Sequence, residues 1–274
     1  MKIIDSHPHI YSDDLNKYPS ILDPWNPGEP ATAEDLLVKM GKNNIQKAVF
    51  IQTGTYYGFD NKYIMDSSRK FSEWATGVVT LSPDDKSSKD ILQNAVKNFN
   101  VKGLRGVPNK NGKLRDPNVI DLWGKAESLE ITVNCMVMDD LELVDEIIYL
   151  ANKFSRLRIV IDHCLMLNTF RKTKETLHEL KRLSKLPNVY AKLTSGTHGS
   201  PRIFPHEDMH APIKRVIDLF SPDRCLWGSN FPNKLWSKGS SYSQNLNLFI
   251  DELGLTNSEK ISILYSTSKS LWFK

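Results

Sequence analysis

The stretch Ile3–Ile4–Asp5–Ser6–His7–Pro8–His9 runs a short apolar segment directly into two histidines that are one residue apart. In an extended strand, residues i and i+2 point to the same side. His7 and His9 can therefore direct two imidazoles at one point, which is how a strand supplies half of a metal or acid–base site. Two unrelated surface histidines would give the same spacing, but the apolar strand that leads into this pair favours a site.

A short apolar run followed by a longer amphipathic segment recurs along the whole chain. Eight such runs are predicted to be strands: 2–6, 46–51, 76–81, 101–105, 131–137, 157–162, 188–194 and 224–229. Helix-like segments follow them near 33–43, 60–73, 88–99, 118–128, 139–154, 172–185, 207–220, 240–252 and 257–270. Strict alternation of strands and helices predicts a parallel sheet, because parallel neighbours need a crossover connection.

The number of these units distinguishes between the common parallel architectures. Eight units in about 250 residues favour a closed (β/α)8 TIM barrel over an open sheet. No glycine-rich phosphate loop follows the first strand, which argues against a dinucleotide-binding fold. No linker-like or low-complexity segment interrupts the chain. We therefore expect an α/β protein in which residues 1–274 form a single TIM-barrel domain.

The composition limits the classes of partner. An apolar content of 40%, a charged content of 25% and a net charge of +4 are ordinary for a globular protein and tolerate an anionic substrate. Neither a basic block with interleaved aromatic residues nor a membrane-length apolar run is present, so we expect no nucleic acid and no membrane. Three widely spaced cysteines, Cys135, Cys164 and Cys225, are predicted to be buried free thiols of a cytoplasmic protein without an export signal. The oligomeric state stays open.

In a TIM barrel, catalytic residues gather at the carboxyl ends of the strands. The sixth predicted strand ends in Asp162–His163, so His163 is expected to meet His7 and His9 at the barrel mouth. Three neutral imidazoles suit a divalent metal, with zinc as the first choice, and leave one coordination position for water. The alternative for His163 is a core histidine that is bonded to a backbone group.

Two cationic residues at other strand ends are candidates for substrate binding. Arg105 lies in the segment Gly103–Leu104–Arg105–Gly106 at the end of the fourth strand, and Lys192 lies at the end of the seventh. A guanidinium in this position can grip a carboxylate with two parallel hydrogen bonds. The alternative for Arg105 is an ion pair at the barrel rim.

Two long irregular segments, 10–31 and 194–210, follow the first and seventh strands and are expected to shape a substrate pocket. Trp25, in the first segment, would form one wall of that pocket or pack on the outer helices. The second segment contains His198, which is predicted to contact the substrate; the alternative is a solvated loop histidine, as for His206 and His210 in the same segment.

The order and spacing of these motifs resemble the amidohydrolase superfamily (amidohydrolase-related family 2), in the branch of 2-pyrone-4,6-dicarboxylate lactonase and related sugar lactonases. The resemblance runs almost from end to end. It rests on His7–Pro8–His9, Tyr18–Pro19, Gln52 with Asp60–Asn61–Lys62–Tyr63, Lys102–Gly103–Leu104–Arg105–Gly106, Ile161–Asp162–His163, Ala191–Lys192–Leu193, Trp227–Gly228–Ser229–Asn230–Phe231–Pro232 and Tyr265–Ser266–Thr267.

The resemblance implies a distorted TIM barrel of the metallo-dependent-hydrolase type, with hydrolytic chemistry at the strand ends. In this family the histidine pair, the sixth-strand histidine and an eighth-strand aspartate form the site, and many members hold one or two divalent metals. The lactonase branch can work without metal, using histidines and arginines to polarise and hold a carboxylated lactone. Metal-dependent and metal-independent chemistry therefore both stay open for this chain.

This sequence departs from the family at the eighth strand, where Asn230 replaces the aspartate that activates water. An amide cannot accept a proton at neutral pH. Another base is therefore needed, with His163, His198, Asp162 or a substrate carboxylate as candidates, or else the activity is low, altered or lost. Asn230 can still orient a water molecule.

Three functions follow from these residues. The first is a hydrolase of a small carboxylated lactone or related cyclic ester or amide, in which His7, His9 and His163 polarise the carbonyl or hold a metal. The second is a metal-dependent decarboxylase of an unsaturated or aromatic acid. The third is a catalytically impaired barrel that binds a small anion, which Asn230 supports. Segments 52–63 and 102–106 resemble the lactonase branch and favour the first function.

Overall fold

A computed structural model describes residues 1–194, 199–237 and 239–273. Its eight strands form one parallel sheet in the order of the sequence. They are β1 Ile4–Asp5, β2 Lys47–Ile51, β3 Ala75–Thr80, β4 Val101–Gly106, β5 Thr132–Cys135, β6 Ile159–Ile161, β7 Val189–Leu193 and β8 Cys225–Trp227. Every strand overlaps a predicted one, so the predicted (β/α)8 barrel is confirmed.

Backbone hydrogen bonds between the ends of β8 and β1 bring the sheet close to full closure. The amide of Ser6 donates to the carbonyl of Trp227 at 3.3 Å, and the amide of Asn230 donates to the carbonyl of His7 at 3.0 Å. Gly228 permits this approach, because a Cβ atom at that position would lie 2.5 Å from the Cβ of His7. The exits of the first and last strands are thus fixed against each other.

Helices cover the outside of the barrel. The α-helices of the described residues are Ala33–Lys42, Gly54–Tyr57, Lys62–Lys70, Ser88–Asn98, Pro117–Ser128, Val144–Lys153, Thr173–Leu183, Glu207–Phe220, Asn233–Trp236, Tyr242–Asn247, Asn257–Ile261 and Thr267–Trp272. Short 3-10 or π-helical turns are Leu141–Leu143, Pro222–Arg224, Leu248–Glu252 and Ser262–Ser266. Among the described residues, no helix combines the length and apolarity that crossing a membrane requires.

Residues that precede two of these helices explain where those helices begin. The side chain of Thr32 accepts from the amide of Asp35, whose carboxylate in turn accepts from the amide of Thr32, a capping box for Ala33–Lys42. Asp116 caps the helix that starts with Pro117, a residue suited to the first helical position. These two helices are therefore anchored at their amino ends by residues immediately before them.

The apolar core has two layers. The larger layer lies between strands and helices, and a second cluster fills the barrel interior. Leu271 and Trp272, from the last helix, enter this second cluster, and the ring of Trp272 lies 5.4 Å from the ammonium of Lys192. The chain's last described helix thus closes the floor of the barrel beneath the strand-end residues. The three cysteines are buried free thiols, as predicted.

Candidate active site

The strand-end histidines lie together above the barrel interior. The ring centroids of His7 and His9 are 4.9 Å apart, and those of His7 and His163 are 4.5 Å apart, both in edge-to-face contact. All three side chains are buried. The structure therefore brings together the three imidazoles that the sequence placed on two different strands.

A cavity of about 260 Å³ opens above them. His9, His163, Arg105 and Asn230 contribute the polar wall closest to the strand ends. Residues of the loops and short helices that follow the strands complete the lining: Trp25, Thr53, Gly54, Thr55, Met136, Met138, Met166 and Trp236. A larger groove of about 590 Å³ lies elsewhere, beside Tyr18, and contains none of the strand-end residues, so we place the candidate active site in the smaller cavity.

The predicted site residues occupy different depths. Trp25 lies at the cavity mouth, where its ring is 5.5 Å from that of Trp236. His7 and Lys192 are fully buried and lie beneath the cavity wall rather than on it. His198 lies outside the described residues. The imidazole, guanidinium and amide groups of the cavity wall therefore come from four strand ends. His7 and Lys192 contact residues of this wall from below but do not line the cavity.

A charge cluster with two cations and one carboxylate supports the wall from below. One carboxylate oxygen of Asp162 is 3.0 Å from the Nζ of Lys192, and the other is 3.4 Å from the Nε of Arg105. Asn134 also donates to this carboxylate at 3.2 Å. Arg105 donates from Nη1 to the carbonyl of Gln52 at 3.3 Å and still borders the cavity. Arg105 thus forms an ion pair with Asp162, the alternative that the sequence left open, and it also presents a cation to the cavity.

The hydrogen bonds of His9 fix its tautomer. Its Nδ1 lies 2.8 Å from the carbonyl oxygen of Ile51, which can only accept, so Nδ1 carries the proton and Nε2 keeps a lone pair. Burial, and to a smaller extent the Arg105 guanidinium, lower the pKa of His9 to about 3. His9 is therefore a neutral hydrogen-bond acceptor on the cavity wall across the whole physiological range.

The opposite tautomer holds for His7. The Nζ of Lys192 lies 3.2 Å from its Nδ1, and an ammonium can only donate, so Nδ1 accepts and Nε2 carries the proton. Burial is the largest cause that lowers the pKa of His7 well below its usual value, followed by Lys192 and His163. Nε2 has no hydrogen-bond partner among the described residues. His7 therefore offers a proton, and no lone pair, to a group above it.

His163 begins a turn of unusual backbone geometry. Four consecutive residues, His163 to Met166, have φ values of 55°, 48°, 56° and 56°, which is the left-handed region. Such a run is costly for residues other than glycine, and strain of this kind concentrates at functional sites. The Nδ1 of His163 lies 2.6 Å from the hydroxyl oxygen of Thr194, and the thiol of Cys164 donates to the carbonyl of Lys192 at 3.2 Å. These contacts hold His163 and Met166 at the cavity.

Asn230 presents its amide oxygen to the site. Its Nδ2 donates to the carbonyl of Trp236 at 3.3 Å, and Oδ1 is buried with no partner within the described ranges. A φ of 54° turns the backbone so that the side chain enters the cavity wall. Asn230 can therefore accept a hydrogen bond from a water molecule or a substrate hydroxyl, but it cannot take up a proton.

Sequence reasoning did not identify Trp236. Its ring lies 5.5 Å from that of His9, and its indole N–H donates to the hydroxyl of Tyr11 at 3.1 Å. Met136, Met138 and Met166 were likewise not foreseen as lining residues. The signal in the sequence was weak, since all four follow strand ends at variable distance and belong to no motif.

The residues do not fit a divalent metal as they stand. Within residues 1–194, 199–237 and 239–273, no group of three or more histidine, cysteine, aspartate or glutamate side chains is spaced to hold one. The tautomer of His7 leaves no lone pair for a metal, and Lys192 places an ammonium beside it. Asn230, at the exit of β8, offers a neutral amide and no carboxylate.

Comparison with known proteins identifies the family. The family model described as Amidohydrolase matches residues 4–274. The chain belongs to the amidohydrolase family. Among curated proteins, it is 27% identical to L-fucono-1,5-lactonase of Burkholderia ambifaria, covering 84% of this chain and 80% of that protein. It is 24% identical to 4-sulfomuconolactone hydrolase of Rhizobium radiobacter, covering 84% and 75%.

Solved structures of the amidohydrolase fold superpose on nearly the whole chain. A probable 2-pyrone-4,6-dicarboxylic acid hydrolase from Acinetobacter baumannii with citric acid bound gives a TM-score of 0.81 at 18% identity, over 99% of both chains. An amidohydrolase from Burkholderia multivorans with bound zinc gives 0.79 at 16% identity, again over 99% of both. These likenesses confirm the barrel fold.

Proposed function

We propose that this amidohydrolase hydrolyses a small lactone that carries a carboxylate. The observation that carries the proposal is Arg105, a buried cation that borders a cavity whose other strand-end groups are two imidazoles and an amide. Two of its relatives are named as enzymes that act on lactones, and one solved structure of similar fold contains citric acid. A guanidinium binds a carboxylate with two parallel hydrogen bonds, so Arg105 would orient such a lactone.

The imidazoles and the amide of the wall supply the hydrolytic steps. The Nε2 lone pair of His9 and the Oδ1 of Asn230 hold a water molecule, and His163 polarises the lactone carbonyl. The water oxygen attacks the carbonyl carbon while His9 takes up its proton. The ring C–O bond then breaks, and the proton passes to the leaving alkoxide, which gives an open-chain hydroxy acid and returns His9 to its neutral form.

We further propose that these steps need no metal. The zinc in one similar structure belongs to that protein, whereas here His7 accepts from Lys192 and has a proton where a metal would bind. Protein treated with a chelator and then dialysed should keep its kcat, and added zinc should not raise it more than about twofold. A dependence on zinc that follows its measured stoichiometry would contradict this part of the proposal.

The test of the function is a panel of carboxylated lactones, with the hydroxy acid product measured by chromatography. Arg105→Met should lower kcat/KM for such a lactone by about 10- to 150-fold, since a hydrogen bond to a charged group contributes about 1.5–3 kcal/mol. The matched control is the same lactone without its carboxylate, for which the change should stay below about threefold. Release of carbon dioxide would indicate the decarboxylase, and binding without turnover the impaired barrel.

A further inference from the structure

We infer that the preferred substrate is a lactone with one carboxylate and a flat apolar body, and not a polyhydroxylated sugar lactone or a dicarboxylate. This inference rests on the proposed function and names its substrate class. It follows from the apolar lining, the number of cations that reach the described part of the wall, and the size of the cavity.

The side of the cavity away from the strand ends is apolar. Trp25 and Trp236 pack with ring centroids 5.5 Å apart at an interplanar angle of 37°. The indole N–H of Trp236 is committed to the hydroxyl of Tyr11, so this tryptophan contributes ring surface and no donor to a ligand. Met138, which is 51% exposed, and the half-buried Met136 and Met166 contribute thioether side chains. Thioethers are flexible and favour contact with aromatic rings.

The polar groups of the same lining are few and partly paired with one another. The hydroxyls of Thr53 and Thr55 are 3.0 Å apart and share a hydrogen bond. Several ring hydroxyls of a sugar lactone would therefore lose water without gaining enough partners, which is unfavourable. A planar apolar ring would instead pack against tryptophan and methionine side chains, and the removal of these apolar surfaces from water would stabilise binding.

One cation of the described residues reaches the cavity wall. Arg105 borders the cavity, whereas Lys192 is fully buried beneath His7 and is paired with Asp162 at 3.0 Å. A second carboxylate on the ligand would be buried without a cationic partner, which is unfavourable in a site of low dielectric constant. The charge balance therefore selects a single carboxylate.

The cavity volume sets the size of the ligand. About 260 Å³ is slightly below the range of roughly 300–1,000 Å³ that is typical of small-molecule sites. One ring with a carboxylate and a short apolar substituent suits this space. Each additional buried methylene should raise affinity about fourfold until the space is filled.

Calorimetric titration with carboxylates that cannot be hydrolysed tests this inference without relying on turnover. We expect 4-ethylbenzoate to bind at least tenfold more tightly than gluconate and at least tenfold more tightly than benzene-1,3-dicarboxylate. Met138→Gln and Trp25→Ala should each weaken binding of 4-ethylbenzoate by about three- to tenfold. Ile261→Gln, which changes an apolar side chain of 48% exposure on an outer helix, is the matched control and should leave binding unchanged.

The outcomes separate this inference from the proposed function. Equal or tighter binding of gluconate or the dicarboxylate overturns the inferred substrate class, and turnover of some lactone would still support the hydrolase. Preference for 4-ethylbenzoate with no lactone hydrolysed supports the ligand class and overturns the hydrolase. Unchanged affinity in both Met138→Gln and Trp25→Ala, with folding verified by thermal unfolding, would also overturn the inference.

Discussion

Replacing Asp162 with asparagine is expected to lower the free energy of unfolding by about 3–5 kcal/mol. Its carboxylate is the anion that lies 3.0 Å from Lys192 and 3.4 Å from Arg105, and the side chains of Asp162 and Lys192 are fully buried. Asparagine keeps the size of the side chain but takes from two buried cations the carboxylate with which they pair. Because the stability of a domain is about 5–15 kcal/mol, this loss would be a large fraction of the total.

The number of cations predicts an asymmetry between the two partners. Lys192→Met removes one of two cations and leaves Asp162 paired with Arg105, so the net charge of the cluster becomes zero. We therefore expect Lys192→Met to destabilise the protein by less than half as much as Asp162→Asn. Adding Lys192→Met to Asp162→Asn should restore part of the lost stability, because it removes one unpaired buried charge.

Urea unfolding at pH 7.5, followed by circular dichroism, measures these differences. The control is Asp145→Asn, which breaks the pair with Arg182 in which the side chains are 78% and 38% exposed. Exposed pairs contribute about 0–1 kcal/mol, so this variant should stay within that range. If Asp162→Asn also lost less than about 1 kcal/mol with an unchanged m value, the argument that this carboxylate compensates two buried cations would be wrong.

Three further predictions concern protons and charge at the site. The folded-state pKa of His9, about 3, is below the value of 6.5 for the unfolded chain, so its stabilising contribution is present above pH 6.5 and is lost as pH falls toward 3. Its share of the slope of unfolding free energy against pH rises from about 0.7 kcal/mol per pH unit at pH 6.5 to about 1.4 at pH 5, and His9→Asn should remove that share. The same low pKa predicts that kcat/KM, measured from pH 5 to 7, shows no loss near 6.5; a tenfold or greater fall at pH 5 would instead indicate a histidine of ordinary pKa as the base. Asn230→Asp should raise KM for a carboxylated lactone at least tenfold, because a second anion would share the cavity with Arg105; a rise in kcat with unchanged KM would show that the native chain lacks its base.

The fold could be predicted from the sequence, because the period of the apolar pattern and the order of strands and helices determine it. Apolar runs that alternate with amphipathic segments require crossover connections, and eight of them fill a barrel. Strand β1 ends at Asp5, yet His7 and His9 still converge, because the chain stays extended beyond the last ladder hydrogen bond and its amides bond to the exit of β8.

The left-handed turn from His163 to Met166 has no signal in the sequence. None of its residues is glycine or asparagine, the types that adopt positive φ at little cost. Tertiary contacts impose this geometry, namely the bond from Cys164 to the carbonyl of Lys192 and the contact of His163 with Thr194. Local propensity cannot report such contacts, so the positions of Met166 and of Trp236, the last residue of a short helix, could not be predicted for the cavity.

Depth within the barrel was the other property that the sequence did not supply. Alternation along a strand tells which side of the sheet a residue faces, but not its height along the barrel axis relative to residues of other strands. The sequence therefore predicts that His7 and Lys192 contact the ligand, whereas both are fully buried beneath the residues that line the cavity. Their contact at 3.2 Å sets the tautomer of His7, a role that appears once that layer is known.

The neutral amide of Asn230 at the exit of β8 and the low pKa of His9 have a common consequence for the proposed mechanism. In the free protein, Arg105 is the second cause, after burial, that keeps His9 a weak base, and Asn230 adds no anion to offset it. A substrate carboxylate bound to Arg105 brings that negative charge into the cavity and opposes the effect of the guanidinium, so the pKa of His9 rises when the site is filled. The substrate thus supplies a negative charge that no described residue of the cavity lining provides, and a lactone without a carboxylate should be a poor substrate in kcat as well as in KM.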